Sequence, residues 1–240
     1  MKFYTSISQV YDYIFPYKAM QLEFIKSYLN GQNQSILDIG CGTGNLSIEL
    51  AKQDVFLEAI DFDAKMVNIA QRKNTLANLT FHQMDMRNIA RKFTANQFDI
   101  VYSFGNTLVH LLSLVEIANF ISSIRKILKP KGKLLIQILN YDNILNNKVR
   151  LLPLIDNDKI RFERYYEFDD SELLDFKTIL KIKETNDSIE NVIKLYPITK
   201  TQLEKILINN GFVNIEFFGN FNKGPLQKDS LPLVVSCEAR

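Results

Sequence analysis

Four polar residues, each at the end of an apolar run, have side chains suited to binding a small ligand. They are Asp38, Asp61, Asp85 and Asn106. A carboxylate accepts hydrogen bonds from hydroxyl and amino groups, and an amide both donates and accepts. Because the carboxyl ends of parallel strands meet at one edge of a sheet, we expect the four side chains to lie together at that edge.

Three alternating glycines follow the first apolar run, residues 35–39, and precede a helical pattern. They are Gly40, Gly42 and Gly44. Glycine permits a sharp turn and lets the backbone lie flat against a large ligand. The free N–H groups at the start of the helix suit a ligand carboxylate or phosphate. Cys41 lies inside the turn, where a small residue is needed for packing.

The turn does not fit the dinucleotide fingerprint, which requires a third glycine or an alanine in G-x-G-x-x-G/A. Counting from Gly40 puts Asn45 at that position, and counting from Gly42 puts Ser47 there. Asp38 instead precedes the first glycine by two residues, where an amino group of a ligand would meet it. A nicotinamide oxidoreductase is therefore the weakest of the functions considered.

The later strand ends suggest how a nucleoside would be held. Asp61 lies 21 residues after Gly40, the spacing at which a carboxylate accepts hydrogen bonds from both ribose hydroxyls. Phe62 is placed to touch an adenine face, or else belongs to the core. Asp85 would accept the adenine amino group, while the N–H of Met86 donates to a ring nitrogen.

Composition restricts the class of protein. A chain of 240 residues with 46% hydrophobic content predicts one domain with a sizeable core. The net charge is +2 and the 29 basic residues are scattered, so we expect no nucleic-acid partner. Cys41 and Cys237 lie far apart and predict neither a metal site nor a disulfide. With no signal peptide and no apolar run of membrane length, we expect a soluble, cytoplasmic protein that does not insert into a membrane.

Strand and helix patterns alternate through the first half of the chain, which predicts a parallel sheet. The predicted strands are 35–39, 55–60, 79–84, 98–104 and 133–139, with a final antiparallel hairpin of 213–218 and 231–237 at one edge. Between these, alternating apolar and polar residues predict a small antiparallel β insert at 156–197. The aromatic-rich residues 1–30 predict helices that form either a flap over the site or a cover for the sheet edge.

The run from Asp38 to Gly44 resembles the first motif of the class I S-adenosylmethionine (SAM) methyltransferases. Other stretches resemble the small-molecule glycine and sarcosine N-methyltransferase group within that family. These are Gly105-Asn106-Thr107 with His110-Leu111, Asn140-Tyr141-Asp142, and Tyr196-Pro197. The resemblance covers the whole chain and implies a Rossmann-like α/β fold. Its seven-stranded sheet would be mostly parallel with an antiparallel last strand.

The resemblance also implies that SAM is the cofactor, that S-adenosylhomocysteine is the product, and that Asn106 faces the acceptor. The cofactor-binding residues predicted from the motifs and the resemblance are Tyr11, Asp38, Gly40, Cys41, Gly42, Gly44, Asp61, Phe62, Met66, Asp85, Met86 and Phe104. No metal is expected. The predicted activity is methyl transfer to nitrogen or oxygen of a small molecule.

Two further residues are candidates for catalysis beside Asn106. His110 has a reference pKa near neutrality and would serve as a base, or else caps or packs a helix. Tyr141 is the second candidate, with core or flap packing as the alternative role. Leu139 stands where glycine-specific enzymes carry an arginine that clamps the substrate carboxylate. We therefore expect an acceptor that is uncharged, or amine-bearing but not a simple amino acid, with an apolar or aromatic part.

Two alternatives remain open at this point. The first is a methyltransferase of nucleic acid or protein, although base methyltransferases carry an Asn/Asp/Ser-Pro-Pro-aromatic loop where this chain has Ser103-Phe104-Gly105-Asn106. The second is a SAM-binding regulatory protein without turnover, because an inert site can keep every cofactor residue.

Overall fold

The computed structural model describes residues 2–240 and has two β-sheets. The strands are β1 Ser35–Ile39, β2 Phe56–Asp61, β3 Leu79–Gln83, β4 Phe98–Ser103, β5 Leu128–Leu139, β6 Ile155–Asp156, β7 Ile160–Glu167, β8 Leu174–Ile182, β9 Ser188–Leu195, β10 Phe212–Phe218 and β11 Pro232–Ala239. The helices are α1 Lys2–Ile7, α2 Tyr11–Ile14, α3 Ala19–Lys26, α4 Asn45–Ala51, α5 Ala64–Lys73, α6 Ile89–Lys92, α7 Leu114–Ile127, α8 Tyr141–Asn146 and α9 Lys200–Asn209.

The larger sheet has seven strands in the order β10-β11-β5-β4-β1-β2-β3. The pairings of β1, β2, β3, β4 and β5 are parallel, whereas β11 is antiparallel to both of its neighbours, β5 and β10. The predicted mostly parallel sheet with an antiparallel last strand is confirmed. The chain reverses its direction of travel across the sheet at β1, between β2 and β4, and such a switch point opens a crevice for ligands.

Two hydrophobic cores cover the two faces of this sheet. Alternate residues of a strand point to opposite faces, so that Ile36 belongs to one core while Leu37 and Ile39 belong to the other. All three side chains are fully buried. Strand β1 therefore has apolar side chains on both faces, as is typical of a strand inside a parallel sheet, and Asp38 is its polar exception among residues 36–39.

The smaller sheet is antiparallel, with the order β6-β7-β8-β9. It confirms the predicted small antiparallel insert and lies between β5 and α9 in the chain. Its alternation has a structural cause, since Ile160, Phe162 and Leu180 point to a third hydrophobic core that also contains Phe3 and Ile7 of α1. The insert and the N-terminal helix therefore pack against each other.

The start of β5 differs from the prediction. The fifth strand was predicted to begin at residue 133, but it begins at Leu128, directly after α7. The register between β4 and β5 shifts after the pair Phe98–Leu128, and Lys131 has a φ of 64°. A bulge thus accommodates the Lys-Pro-Lys-Gly residues within the strand.

The N-terminal residues form three short helices. Helix α1 contacts α5 and β9, and α2 contacts β7. Residue 1 of the expected 1–30 segment lies outside the described residues. None of the helices in residues 2–240 combines the length and the apolar character needed to cross a membrane.

Candidate functional site

A cavity of about 380 Å³ opens at the carboxyl ends of β1, β2, β3 and β4, beside the switch point. Its volume is typical of small-molecule sites. Among its lining residues are ten predicted site residues: Tyr11, Gly40, Gly42, Asp61, Phe62, Met66, Asp85, Met86, Phe104 and His110. Five predicted residues do not line it: Asp38, Cys41, Gly44, Asn106 and Tyr141.

The carboxylate of Asp61 is held in place at the cavity wall. Its Oδ2 accepts a hydrogen bond of 2.8 Å from the Gly42 N–H, and its Oδ1 accepts one of 2.9 Å from the Asp63 N–H. Each carboxylate oxygen has two lone pairs, so both oxygens keep accepting capacity. Burial raises the pKa of Asp61, while the two N–H donors act in the opposite direction. The arrangement offers two fixed acceptor atoms to a diol.

The first two glycines bring the backbone against side chains from other elements. A Cβ at Gly40, where φ is 81°, would lie 2.4 Å from Thr107 Oγ1. A Cβ at Gly42, where φ is 55°, would lie 3.0 Å from the ring of Tyr11. Both conformations favour glycine, and the close approach lets Tyr11 of α2 cover the turn.

Three predicted cofactor residues do not line the cavity and have contacts with other parts of the protein. The Oδ2 of Asp38 accepts hydrogen bonds from Ser47 Oγ at 2.5 Å and from the Tyr102 hydroxyl at 2.8 Å. Burial raises the pKa of Asp38 to about 7. Gly44 faces the ring of Phe81, and Cys41 packs against a hydrophobic core. The roles of these three residues in cofactor binding therefore stay predictions.

A second carboxylate at the cavity wall is already engaged. Asp85 accepts hydrogen bonds from Arg87 Nε at 3.0 Å and from Arg87 Nη2 at 2.6 Å. This guanidinium lowers the pKa of Asp85. Arg87 also contacts Glu116 at 3.3 Å. Sequence reasoning missed Met84 and Arg87, although both flank Asp85 in the chain and line the same cavity. Asp85 would have to share its oxygens between Arg87 and a ligand amino group.

The charges of the cavity wall favour a cation over a phosphate. Four acidic residues and one arginine line it: Asp61, Asp63, Asp85, Glu116 and Arg87. A dinucleotide would bring a pyrophosphate, which needs donors and positive charge. The guanidinium of Arg87 is occupied by two of the carboxylates. The wall therefore argues against a nicotinamide cofactor.

His110 lines the cavity beside Tyr4, a residue that sequence reasoning did not select. The Tyr4 hydroxyl lies 2.8 Å from His110 Nε2. Burial lowers the pKa of His110 to about 4 and raises that of Tyr4, so both groups are neutral at pH 7. The only available signal for Tyr4 was the density of aromatic residues at the N-terminus. The predicted base is thus an uncharged imidazole with a weak affinity for protons.

Asn106 and Tyr141 lie behind the cavity wall, where they contact each other. Asn106 Nδ2 donates to the Tyr141 hydroxyl at 2.9 Å, and its Oδ1 accepts from the Leu139 N–H at 2.9 Å. The Tyr141 hydroxyl lies 3.2 Å from that of Tyr166. Tyr141 is fully buried, and burial raises its pKa to about 12. Both residues position neighbouring elements, and their predicted catalytic roles remain predictions.

A polar cluster fastens α2 to the glycine turn. Asp12 accepts hydrogen bonds from Thr43 Oγ1, from Asn45 Nδ2 at 2.9 Å and from Lys73 Nζ at 2.5 Å. Lys73 Nζ also donates to Asn45 Oδ1 at 2.9 Å. Because Tyr11 precedes Asp12, this cluster fixes the aromatic ring that covers Gly42.

Comparison with known proteins agrees with this geometry. Residues 36–132 match the family model described as a methyltransferase domain. The chain is 32% identical over 141 residues to a protein of Geobacillus sp. (strain WCH70) that is provisionally named a methyltransferase. It is 27% identical over 212 residues to the glycine/sarcosine N-methyltransferase of Aphanothece halophytica, covering 86% of this chain and 76% of that one.

A solved structure shares the fold over almost the whole length. It is described as a SAM-dependent methyltransferase from Clostridium acetobutylicum, with a TM-score of 0.82, 17% sequence identity and 98% coverage of both chains. At this identity the likeness concerns the fold alone. The match to the Geobacillus protein covers 56% of this chain and 57% of that relative.

Proposed function

We propose that this chain, which has the fold and a domain of the class I SAM-dependent methyltransferases, transfers a methyl group from SAM to a small-molecule acceptor. The observation that supports this most directly is the cavity in which Asp61 offers two fixed oxygens beside aromatic and methionine side chains. Its acidic wall suits a ligand that carries a sulfonium cation and hydroxyl groups.

The residues present fit SAM in two respects. Asp61 has accepting capacity for the two ribose hydroxyls. Phe62 and Met86 line the cavity near Asp85, where an adenine ring would find apolar contacts and the Met86 N–H. Tyr4 and Tyr11 line the part of the wall that the N-terminal helices contribute.

The chemistry of transfer assigns the protein a limited set of tasks. Bound SAM would supply an electrophilic methyl group: the acceptor nitrogen or oxygen would bond to the methyl carbon as the carbon–sulfur bond breaks, the electron pair would stay on sulfur to give S-adenosylhomocysteine, and the acceptor would release a proton. The protein orients the acceptor and excludes water. The neutral His110 is able to accept a hydrogen bond, but its low pKa suits it to orienting a group more than to holding a proton.

Methyl-labelled SAM tests the proposal directly. We expect label to appear in the small-molecule fraction of a cell extract incubated with the protein. Label found only in nucleic acid or protein would contradict the small-molecule acceptor. SAM binding by calorimetry with no label transfer to any fraction would instead indicate a regulatory protein.

The position of Leu139 is tested with glycine and sarcosine as acceptors. We expect little methylation of either by the wild type, because a leucine cannot bind a carboxylate in a bidentate manner. Leu139→Arg should raise the rate with glycine, and Leu139→Met is the matched control without a charge. Efficient methylation of glycine by the wild type would show that the argument from Leu139 is wrong.

A further inference from the structure

The inner face of the smaller sheet contains a polar row between apolar rows. Arg164 of β7 pairs with Thr178 of β8, and Thr178 pairs with Asn191 of β9. Directly opposed residues of antiparallel strands point to the same face. Phe162 and Tyr166, two residues before and after Arg164, are buried at 0% and 1% exposure. Arg164 therefore points to the same face as these two rings, where its side chain is half-buried and its guanidinium carbon lies 5.9 Å from the centre of the Phe162 ring.

The polar atoms of this row are not all satisfied. Arg164 Nη2 donates to the Pro153 carbonyl at 2.6 Å, but the buried Nε has no hydrogen-bond partner among residues 2–240. Within the same residues, Arg164 has no carboxylate within ion-pair distance. Thr178 is 1% exposed, and its buried hydroxyl also has no hydrogen-bond partner in the described part of the chain.

A half-buried guanidinium that has no carboxylate partner and a buried Nε without an acceptor among the described residues is costly. Arginine is rarely buried unless it is paired, and desolvation penalises its charge. Burial accordingly lowers the pKa of Arg164. An apolar residue at position 164 would avoid this desolvation penalty. A cation and a hydroxyl with free hydrogen-bonding capacity, next to each other in a buried row, are the donors that a carboxylate requires.

Hydrogen bonds connect this row with the candidate active site. Tyr166, next to Arg164 on the same face, contacts the Tyr141 hydroxyl, which accepts from Asn106. Burial raises the pKa of Tyr166; the charge of Arg164 acts to lower this pKa, and Tyr4 acts to raise it. Tyr4 lines the cavity. Tyr166 thus connects this row with Tyr141 and Asn106, which lie behind the cavity wall.

We propose that Arg164, together with Thr178, binds a carboxylate of the methyl acceptor. This inference rests on the proposed function and gives the acceptor's chemical class: a carboxylate-bearing molecule whose nucleophilic nitrogen or oxygen reaches the cavity on the far side of Tyr4. From sequence alone, the absence of a cation at Leu139 favours an acceptor that is uncharged, or amine-bearing but not a simple amino acid. Arg164 supplies the cation from β7 instead, and the side chain of Tyr4 would turn aside to admit the acceptor.

Matched acceptor pairs test the inference. We would compare aniline with 4-aminobenzoate, phenol with 4-hydroxybenzoate, and tyramine with tyrosine. We expect kcat/KM to be at least about tenfold higher for the carboxylate in the pair that is methylated, since hydrogen bonds to a charged group contribute strongly. Arg164→Met should remove this preference mainly through KM. Thr178→Val should reduce it by a smaller factor, and Arg164→Lys should keep part of it.

The control lies on the other face of the same strand. Arg161 pairs with Glu163 and Asp156, and Arg161→Met should leave the preference unchanged. Guanidinium ions added to Arg164→Gly should restore part of the carboxylate preference, which a purely structural role would not predict. Equal turnover of both members of each pair, or a folded Arg164→Met variant that keeps the preference, would overturn the inference.

Binding measured without turnover separates this inference from the proposed function. Benzoate should raise the melting temperature of the wild type and not that of Arg164→Met. If no acceptor is methylated while benzoate still stabilises the wild type through Arg164, the proposed function is wrong and the carboxylate site stands. If neutral acceptors are methylated and benzoate has no effect, the carboxylate site is wrong and the function stands.

Discussion

Asp38 and Asp61 end neighbouring strands of the sheet, yet their surroundings give them different roles. Asp38 is buried, and Ser47 and Tyr102 donate to the same oxygen. Asp61 receives two backbone N–H groups at the cavity wall and keeps accepting capacity on both oxygens. At the scale of single residues, the direction of a side chain and its donors decide its function more than its residue type.

Replacement of Asp61 tests the assignment of the ribose site. Asp61→Ala should weaken SAM binding at least about tenfold, because hydrogen bonds to a charged acceptor contribute roughly 1.5–3 kcal/mol. Isothermal titration calorimetry measures the affinity. Asp170→Ala, in an exposed turn of the insert, is the control and should bind like the wild type. A folded Asp61→Ala protein with unchanged affinity would refute the assignment.

The protonation of His110 is measurable directly because the chain has only two histidines. In an NMR titration, His110 should change its shifts near pH 4, well below the ordinary midpoint of about 6.5, since burial penalises the charged ring. His82, which contacts Glu58, is assigned by its loss in His82→Gln. A His110 midpoint near 6.5 would show that the ring is solvated and available as a base at neutral pH.

Among the elements, the glycine turn packs closely against its neighbours at Gly44. A Cβ at Gly44 would lie 2.6 Å from the Phe81 ring and 2.9 Å from the Ala70 Cβ. Gly44→Ala should therefore lower the free energy of unfolding by the cost of overpacking, about 1–3 kcal/mol, in addition to the strain of a positive φ. Urea unfolding measures the change.

Gly105 is the matched control for this substitution. Its φ of 78° is close to the 80° of Gly44, but a Cβ there would meet no atom within 4 Å. Gly105→Ala should therefore lower the free energy of unfolding through backbone strain alone, without overpacking. Equal destabilisation by the two substitutions would mean that the packing of α4 against β3 and α5 is looser than the structure indicates.

The attachment of α2 depends on Asp12. Asp12→Ala should speed amide hydrogen exchange in residues 2–15 and weaken SAM binding, because three donors lose their acceptor and Tyr11 loses its support. The ion pair with Lys73 is partly exposed and contributes little alone. Lys52→Ala breaks the exposed pair with Glu49 and should change neither quantity. Unchanged exchange in Asp12→Ala would show that apolar packing holds the segment.

For the molecule as a whole, sequence patterns predicted what depends on neighbours in the chain. Apolar runs located the strands, and the switch to alternation located the smaller sheet. Contacts between distant residues were not accessible: nothing near Tyr4 indicates His110, and nothing near Asp38 indicates the hydroxyl of Tyr102. The early start of β5 was missed because a proline and a glycine normally indicate a turn, whereas pairing with β4 overrides that local preference.

Two buried groups give the whole molecule opposing pH dependences. Asp38 keeps its proton up to about pH 7 when folded but only to about pH 4 when unfolded, so its contribution to stability falls as pH rises through this range. His110 takes up a proton below about pH 6.5 when unfolded but only near pH 4 when folded, so its contribution rises with pH.

Urea unfolding at pH 4.5, 5.5 and 6.5 separates these two contributions. The free energy of unfolding of Asp38→Asn should rise more steeply with pH than that of the wild type. That of His110→Asn should rise less steeply than that of the wild type. Other titrating groups affect all three proteins alike. Parallel curves for the wild type and both variants would mean that neither group has a shifted pKa in the folded state.

The placement of β11 between β5 and β10 has a consequence for biosynthesis. Leu139 of β5 pairs with Pro232, a partner 93 residues later in the chain. At about 5–20 residues per second, a ribosome needs roughly 5–20 s to supply that partner. During this interval the nascent chain has β5 as an open sheet edge, whose apolar residues favour association between chains. Slower initiation or lower temperature should therefore raise the soluble yield during expression.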